Sequence, residues 1–173
     1  MDTALKKVLE ARAAIRAALA EQRAQLSEKQ WLERSQKIFD VLKADDALQR
    51  AKVVHCFISM PKRREVNTEP ILQWLQAQGK EIAVPVMKSR NLVSVRFLGM
   101  DKLATGVFEV LEPTEHITID ESTLDVVLTP LLACDRQGNR LGYGKGFYDN
   151  FLHALLRRAF SHEKSDLPFH SKS

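Results

Sequence analysis

The sequence predicts an α/β fold in which helices cover a parallel or mixed sheet. Three observations predict it. Short apolar runs bounded by charged or turn residues, at 52–59, 81–87 and 124–134, have the length of buried strands. Segments with Leu and Ile at helical intervals precede, separate and follow those runs. Between the last apolar run and the last amphipathic segment lies a stretch with Gly142, Gly144 and Gly146, so that strand, glycine loop and helix follow one another. In that order the backbone N–H groups at a helix start are free to receive a phosphate.

Taken along the chain, residues 4–25 contain no Gly or Pro and predict a long helix. Ser27 with Gln30 three positions on is a capping box, opening a second helix that runs to about residue 44. Residues 52–59 are the first strand and 60–65 a basic loop after it, carrying Lys62, Arg63, Arg64 and Glu65. Thr68 is the expected N-cap and Pro70 a first-turn residue of a helix over 71–78, which Gly79 ends. Residues 81–87 form a second strand whose Pro85 belongs at an edge or bulge. Alternation of Leu92, Val93, Val95 and Phe97 gives a third strand over 91–98, and 101–120 is a loop-rich excursion. The run 124–134 is the buried strand around which the site is organised, followed by a tight turn at Asp135 and Gly138 and a helix from Phe147 to Leu156. Residues 1–160 are expected to form a single domain, with 161–173 a polar tail that is barely anchored. Ligands in such sheets bind at the carboxyl ends of strands, which brings 59–65 and 135–146 to one rim.

The glycine loop matches neither G-x-x-x-x-G-K-[ST] nor G-x-G-x-x-G. A plain glycine turn with solvated basic residues explains the glycines equally well. What favours a nucleotide phosphate site is their alternation with Tyr143 and Lys145, the nearby Arg136 and Arg140, and Tyr148 and Asp149 in the first helical turn. Asp149 there is favoured by the helix dipole, and equally suits Mg²⁺ beside phosphates. Arg12, Arg16 and Arg23 fall within about 40° of one another on a helical projection, at the azimuth of Leu9 and Leu19. On spacing alone, stems covering core with heads in water stand slightly ahead of a stripe facing an anion. Glu65 is either a solvated charge beside Arg63 and Arg64 or a substrate contact at the rim.

With 173 residues and 45% hydrophobic content, the chain has enough material for one sizeable core. A net charge of +4 suits anionic small molecules and falls short of a nucleic-acid signature. Cys56 and Cys134 both sit in apolar runs and read as reduced core residues, not a disulfide or metal framework. The five histidines show no ligand spacing, and Ser, His and Asp form no recognisable triad. The charged N-terminus has no secretory pattern and no run is long enough to span a bilayer, so a cytoplasmic protein without membrane attachment is expected.

Arg140-Leu141-Gly142-Tyr143-Gly144-Lys145-Gly146-Phe147-Tyr148-Asp149, preceded by Asp135-Arg136-Gln137-Gly138-Asn139, resembles the D-x-x-G-x-R-L-G-x-G-x-G-[FY]-Y-D hallmark of 5-formyltetrahydrofolate cyclo-ligases. Weaker resemblances follow in order: Arg12-Ala13-Ala14-Ile15-Arg16 to a basic K-x-x-L-R helix, Glu65-Val66-Asn67-Thr68 to E-[VI]-x-T, and residues 106–113 to G-x-[FW]-x-x-x-E-P. Arg12 stands where that pattern has Lys, and Leu131 where it commonly has Gly. The resemblance implies a three-layer α/β/α sandwich with a mostly parallel sheet, of the sugar-isomerase and CoA-transferase type. It implies a ligase that uses ATP and Mg²⁺ to cyclise 5-formyltetrahydrofolate to 5,10-methenyltetrahydrofolate, releasing ADP and phosphate. By matching position, ATP would be held by Arg12, Arg16, Arg140, Leu141, Gly142, Tyr143, Gly144, Lys145, Gly146, Phe147 and Tyr148. Folate would be held by Ile58, Glu65, Tyr143, Gly144, Lys145, Gly146 and Phe147. Lys145 and Arg140 would be the catalytic cations and Asp149 the Mg²⁺ ligand.

The resemblance also implies a further strand and a second acidic metal contact after the last helix, a part expected to be shortened here, with residues 159–161 its remaining trace. A monomer acting on small molecules is the expectation. Two other readings stand beside it. One is a non-catalytic relative that binds nucleotide or folate with an incomplete C-terminal site. The other is an RNA-associated protein, against which the low aromatic content speaks.

Overall fold

A computed structural model describes residues 3–89, 91–106 and 110–165, with side chains described up to Arg158. Helix α1 (Thr3–Ala24) has no buried residue and lies on the outside of the molecule. Helix α2 (Glu28–Lys43) begins at the predicted capping box, with both reciprocal bonds between Ser27 and Gln30 formed. The short α3 (Asp46–Arg50) is capped by the Asp45 carboxylate, which accepts the Leu48 N–H at 2.8 Å. Strand β1 (Val53–Cys56) follows, then a 3₁₀ turn at Pro61–Arg63 that Arg64 closes in the left-handed region. Helix α4 (Glu69–Ala77) leads through Gly79, φ +68°, into β2 (Glu81–Lys88). β3 (Asn91–Arg96) turns back on β2, and β4 (Leu103–Thr105) pairs with β5 (Leu111–Pro113) inside the predicted excursion. The part of that excursion at 107–109 lies outside the described residues. β6 (Val126–Leu128), β7 (Ala133–Cys134), β8 (Arg140–Leu141) and α5 (Phe147–Ser165) complete the chain as described.

The main sheet runs β3-β2-β1-β6. β1 is parallel to β2 and β6, and β3 alone is antiparallel, so the sheet is mixed and mostly parallel. Alternation along β1 divides its side chains between two layers. Val54 and Cys56 join Leu48 of α3 and Ile71, Leu72 and Leu75 of α4 in the core, while His55 faces Phe151 and Tyr148 of α5. Helices therefore cover both faces, and the three-layer arrangement is present.

Pro85 sits in β2, between two strands, and the register explains how. Glu81 donates to Lys52 O and Phe97 donates to Ile82 O, so odd-numbered residues of β2 turn toward β1. The last residue of β2 in register with β1 is Ala83, opposite His55, and Pro85 lies beyond it. A missing N–H costs no ladder bond there.

Three expectations are corrected. The run 124–134 is not one strand. β6 spans three residues, the chain leaves the sheet at Thr129 and Pro130, and residues 133–134 pair with 140–141 in a separate hairpin. That hairpin exposes Cys134, which is no core residue, whereas Cys56 is fully buried and its thiol is pushed up to about 12 by desolvation. Residues 159–161 are helical, since α5 continues to Ser165, and 166–173 lie outside the described residues.

Candidate functional site

Two loops meet over the carboxyl ends of β1 and β6. The first runs from Phe57 to Thr68. Its Ser59 N–H donates to the Thr68 hydroxyl at 2.9 Å, so Thr68 braces the loop instead of capping α4 with its side chain. Glu65 is 3% exposed, with Oε2 accepting the Met60 N–H at 2.8 Å and its backbone carbonyl accepting from the Trp31 indole. A buried carboxylate needs such donors, because desolvation without them costs several kcal/mol. Glu65 is thus not the solvated partner of Arg63 or Arg64. Arg63 packs over the Tyr143 ring, 5.5 Å from its centroid, and Arg64 over Trp31 at 5.3 Å.

The second loop is the glycine stretch, mounted on the β7–β8 hairpin. Asp135 shapes that turn: Oδ1 accepts from Gln137 N at 2.9 Å and Asn139 N at 2.8 Å, and Oδ2 from Asn139 Nδ2 at 2.7 Å. These bonds, the Asn139 ones foremost, hold its carboxyl below the usual carboxylate range. Gly144 combines a φ of +85° with close packing, since a Cβ there would stand 3.2 Å from the Arg16 guanidinium carbon. A side chain at 144 would therefore be strained and would push Arg16 away.

Helix α1 lies against this loop through two arginines. Arg16 Nε donates to Gly142 O at 2.9 Å, and Arg23 Nη2 donates to the Tyr143 hydroxyl at 2.6 Å. Arg16 and Arg23 of the stripe thus serve the loop, and the reading that the stems cover core is overturned, because no residue of α1 belongs to the core. Arg12 is exposed on the same face, about one turn before Arg16. Tyr143 in turn donates to Glu65, which joins the two loops. Burial first, then the hydrogen bond and charge of Glu65, raise the Tyr143 phenol well above its ordinary value, with Arg23 opposing.

At the start of α5, Arg140 pairs with Asp149 and stacks over the Tyr148 ring at 5.9 Å. Arg140 Nη1 and the Tyr148 hydroxyl are buried without hydrogen-bond partners. Burial above all, with Cys56 and Glu65 nearby, keeps the Tyr148 phenol neutral. Lys145 is exposed at the loop tip and Phe147 half-buried at the helix start. Among the described residues no group of three His, Cys, Asp or Glu side chains is placed to hold a metal. Asp149 is a single, largely exposed carboxylate.

A cavity of about 230 Å³ opens beside the junction, lined by Arg23, Glu65, Thr68, Leu128 and Leu131 with apolar walls from Phe57 and Ile71. Ile58 is buried in the core cluster, and its neighbour Phe57 faces the cavity. Of these residues, Trp31 was not foreseen, Thr68 was expected only as a helix cap, and Arg23 only as a member of the arginine stripe. For Arg23 a signal existed, because seven residues from Arg16 bring it to within about 20° of the same azimuth. Chemically the arrangement offers cations and a helix start for phosphate, and an apolar slot with one carboxylate for a ring bearing N–H groups.

Residues 8–167 match the 5-formyltetrahydrofolate cyclo-ligase family. A 5-formyltetrahydrofolate cyclo-ligase of Mus musculus is 30% identical over 163 residues, 89% of this chain and 77% of that protein. One of Haemophilus influenzae is 33% identical over 101 residues, 56% of this chain and 54% of that protein. One of Escherichia coli K12 is 34% identical over 93 residues, 51% of each. The chain spans about half the length of these bacterial relatives. Among solved structures, the 5,10-methenyltetrahydrofolate synthetase of Aquifex aeolicus superposes with a TM-score of 0.72 at 27% identity, covering 82% of this chain and 72% of that one. One from Mycoplasma pneumoniae, at 21% identity, gives 0.65 over 85% and 80%, a likeness of fold.

Proposed function

Because the chain belongs to the 5-formyltetrahydrofolate cyclo-ligase family, we propose that it converts 5-formyltetrahydrofolate to 5,10-methenyltetrahydrofolate with ATP and Mg²⁺, releasing ADP and phosphate. The observation that carries this reading is the Tyr143–Glu65 hydrogen bond, through which a glycine loop suited to phosphate and an apolar slot suited to a ring system share one residue. The cavity is smaller than a typical pocket for a whole drug-sized ligand, and takes one end of the substrate.

In this reading Glu65 accepts N–H groups of the pterin ring, and the apolar walls take its faces. The formyl oxygen of the substrate attacks the γ-phosphorus and ADP leaves. The substrate's own N10 then closes on the formyl carbon, the C–O bond to phosphate breaks, and the N10 proton leaves with the departing phosphate. No side chain has to act as nucleophile in this scheme. Phosphoryl transfer asks mainly for orientation and charge stabilisation. Arg12, Arg16, Arg140 and Lys145 supply positive charge around the loop, and the partnerless Arg140 Nη1 and Tyr148 hydroxyl are buried donors that a nucleotide would satisfy. Asp149 is the residue to hold Mg²⁺. A single carboxylate suits an ion that completes its shell with phosphate oxygens and water, and the ion would neutralise phosphate charge.

Phosphate release from the purified chain tests the proposal. Release that requires ATP and 5-formyltetrahydrofolate together supports it. Binding of both ligands without phosphate release would favour a non-catalytic relative.

A further inference from the structure

We propose that Arg23 is a positioning residue of this site: it fixes the Tyr143 hydroxyl so that Tyr143 holds Glu65 ready for the ring end of the substrate. The inference rests on the reading of the site given above.

The direction of the hydrogen-bond chain is forced. A guanidinium can only donate and an ionised carboxylate can only accept. Arg23 Nη2 lies 2.6 Å from the Tyr143 hydroxyl, so that oxygen must accept from it and spend its single proton on Glu65. Without Arg23 the hydroxyl is free to turn, and nothing selects the orientation that serves Glu65. The second carboxylate oxygen is already held by Met60 N–H at 2.8 Å, so with both donors in place Glu65 has one orientation on the cavity wall.

Arg23 is itself anchored to the rim. Its Nη1 reaches Leu131 O at 3.4 Å, and its guanidinium lies 5.5 Å from the Tyr143 ring centroid. Arg63 stands at the same distance from that ring, so two guanidinium groups hold the phenol. Arg23 Nε is buried without a partner. On a helix that buries no residue, such an arginine contributes nothing to a core, and the spare donor sits on a side chain that lines the cavity. Arg16 serves the phosphate side of the same loop through Gly142 O, so α1 supplies one arginine to each half of the site. Lysine would keep the charge at 23 but cannot span Tyr143 and Leu131 together or stack as a plane.

The test is calorimetric titration of the intact chain with 5-formyltetrahydrofolate, and separately with ATP, for wild type, Arg23→Ala, Arg23→Lys, Tyr143→Phe and the Arg23→Ala/Tyr143→Phe double variant. Thermal melts verify that each is folded. Loss of one charge-assisted positioning bond predicts folate affinity weakened by about tenfold in Arg23→Ala and in Tyr143→Phe. The double variant should be no weaker than the worse single, because both remove one chain of bonds. Arg23→Lys should lie between, and ATP affinity in Arg23→Ala should stay within about twofold of wild type, since Arg16 still holds that side. Wild-type folate affinity in Arg23→Ala, or losses that multiply in the double variant, would overturn the inference. Should Arg23→Ala not fold, Arg23→Lys combined with Tyr143→Phe gives the same cycle. A wild-type chain that binds no 5-formyltetrahydrofolate would instead overturn the reading of the site itself, and the inference with it.

Discussion

The Tyr143 hydroxyl donates to the Glu65 carboxylate, and the two residues are 78 positions apart in the chain. One belongs to the glycine loop before α5 and the other to the loop after β1. Their bond makes two features, each ambiguous alone, into one site. Because Glu65 is buried, the bond also contributes to stability.

Tyr143→Phe leaves Glu65 Oε1 without its phenolic donor and Arg23 Nη2 without its acceptor. An unmet buried polar group of this kind costs about 1–3 kcal/mol. Urea denaturation should show a lower midpoint with an unchanged slope. A midpoint equal to wild type would mean that water replaces the phenol at no cost.

Lys145→Ala removes an exposed charge at the loop tip. The fold should be unaffected, with melting unchanged. ATP-dependent turnover should fall by roughly a hundredfold or more, the usual scale for losing one preorganised charge at a reacting centre. Unchanged turnover would remove the phosphate role of the loop.

Acid should destabilise the fold through His55. The ring is fully buried between β1 and α5 with neither nitrogen hydrogen-bonded, and desolvation pulls its pKa from 6.5 down to about 4. The folded form therefore binds this proton less readily than the unfolded chain. Stability is fully present above pH 6.5 and is lost as pH falls toward 4, by roughly 3 kcal/mol in all. His55→Leu, which also removes an unsatisfied buried N–H, should flatten that part of the stability–pH profile and be at least as stable at pH 7. Parallel profiles for the two proteins would assign the acid sensitivity elsewhere.

Much of this was legible in the residues. Ser27 and Gln30 marked the start of α2 by a local capping rule that tertiary context did not disturb. Pro85 announced a place without a neighbouring strand, and the register put it beyond the end of β1. The run 124–134 misled because apolar content reports burial, not pairing. Pro130 and the short β6 let the chain leave the sheet while staying half-buried, and Cys134 went to the surface with the hairpin. At the site, glycine spacing and the arginine stripe were visible, but the bond that joins them was not. Nothing in the linear order says that Arg23 meets Tyr143, 120 residues on, or that Glu65 is buried. Those facts arise only when the two loops are brought over the same strand ends.

Trp31 gives a further test of that packing. Its indole N–H donates to the Glu65 carbonyl from the first turn of α2, and Arg64 covers the ring. Trp31→Phe should cost about 1 kcal/mol for the lost bond and weaken folate binding less than Tyr143→Phe does. A larger effect on binding than that of Tyr143→Phe would shift the weight of the site toward the backbone of the 60–68 loop.

The proposal that the two loops of this chain form a cyclising site is tested by incubating the purified protein with 5-formyltetrahydrofolate, ATP and Mg²⁺ and following the near-ultraviolet absorbance of 5,10-methenyltetrahydrofolate. The expected result is product that requires ATP, stops when a chelator is added and is lost in Lys145→Ala. No product from folded wild-type protein at saturating concentrations of both substrates would contradict it.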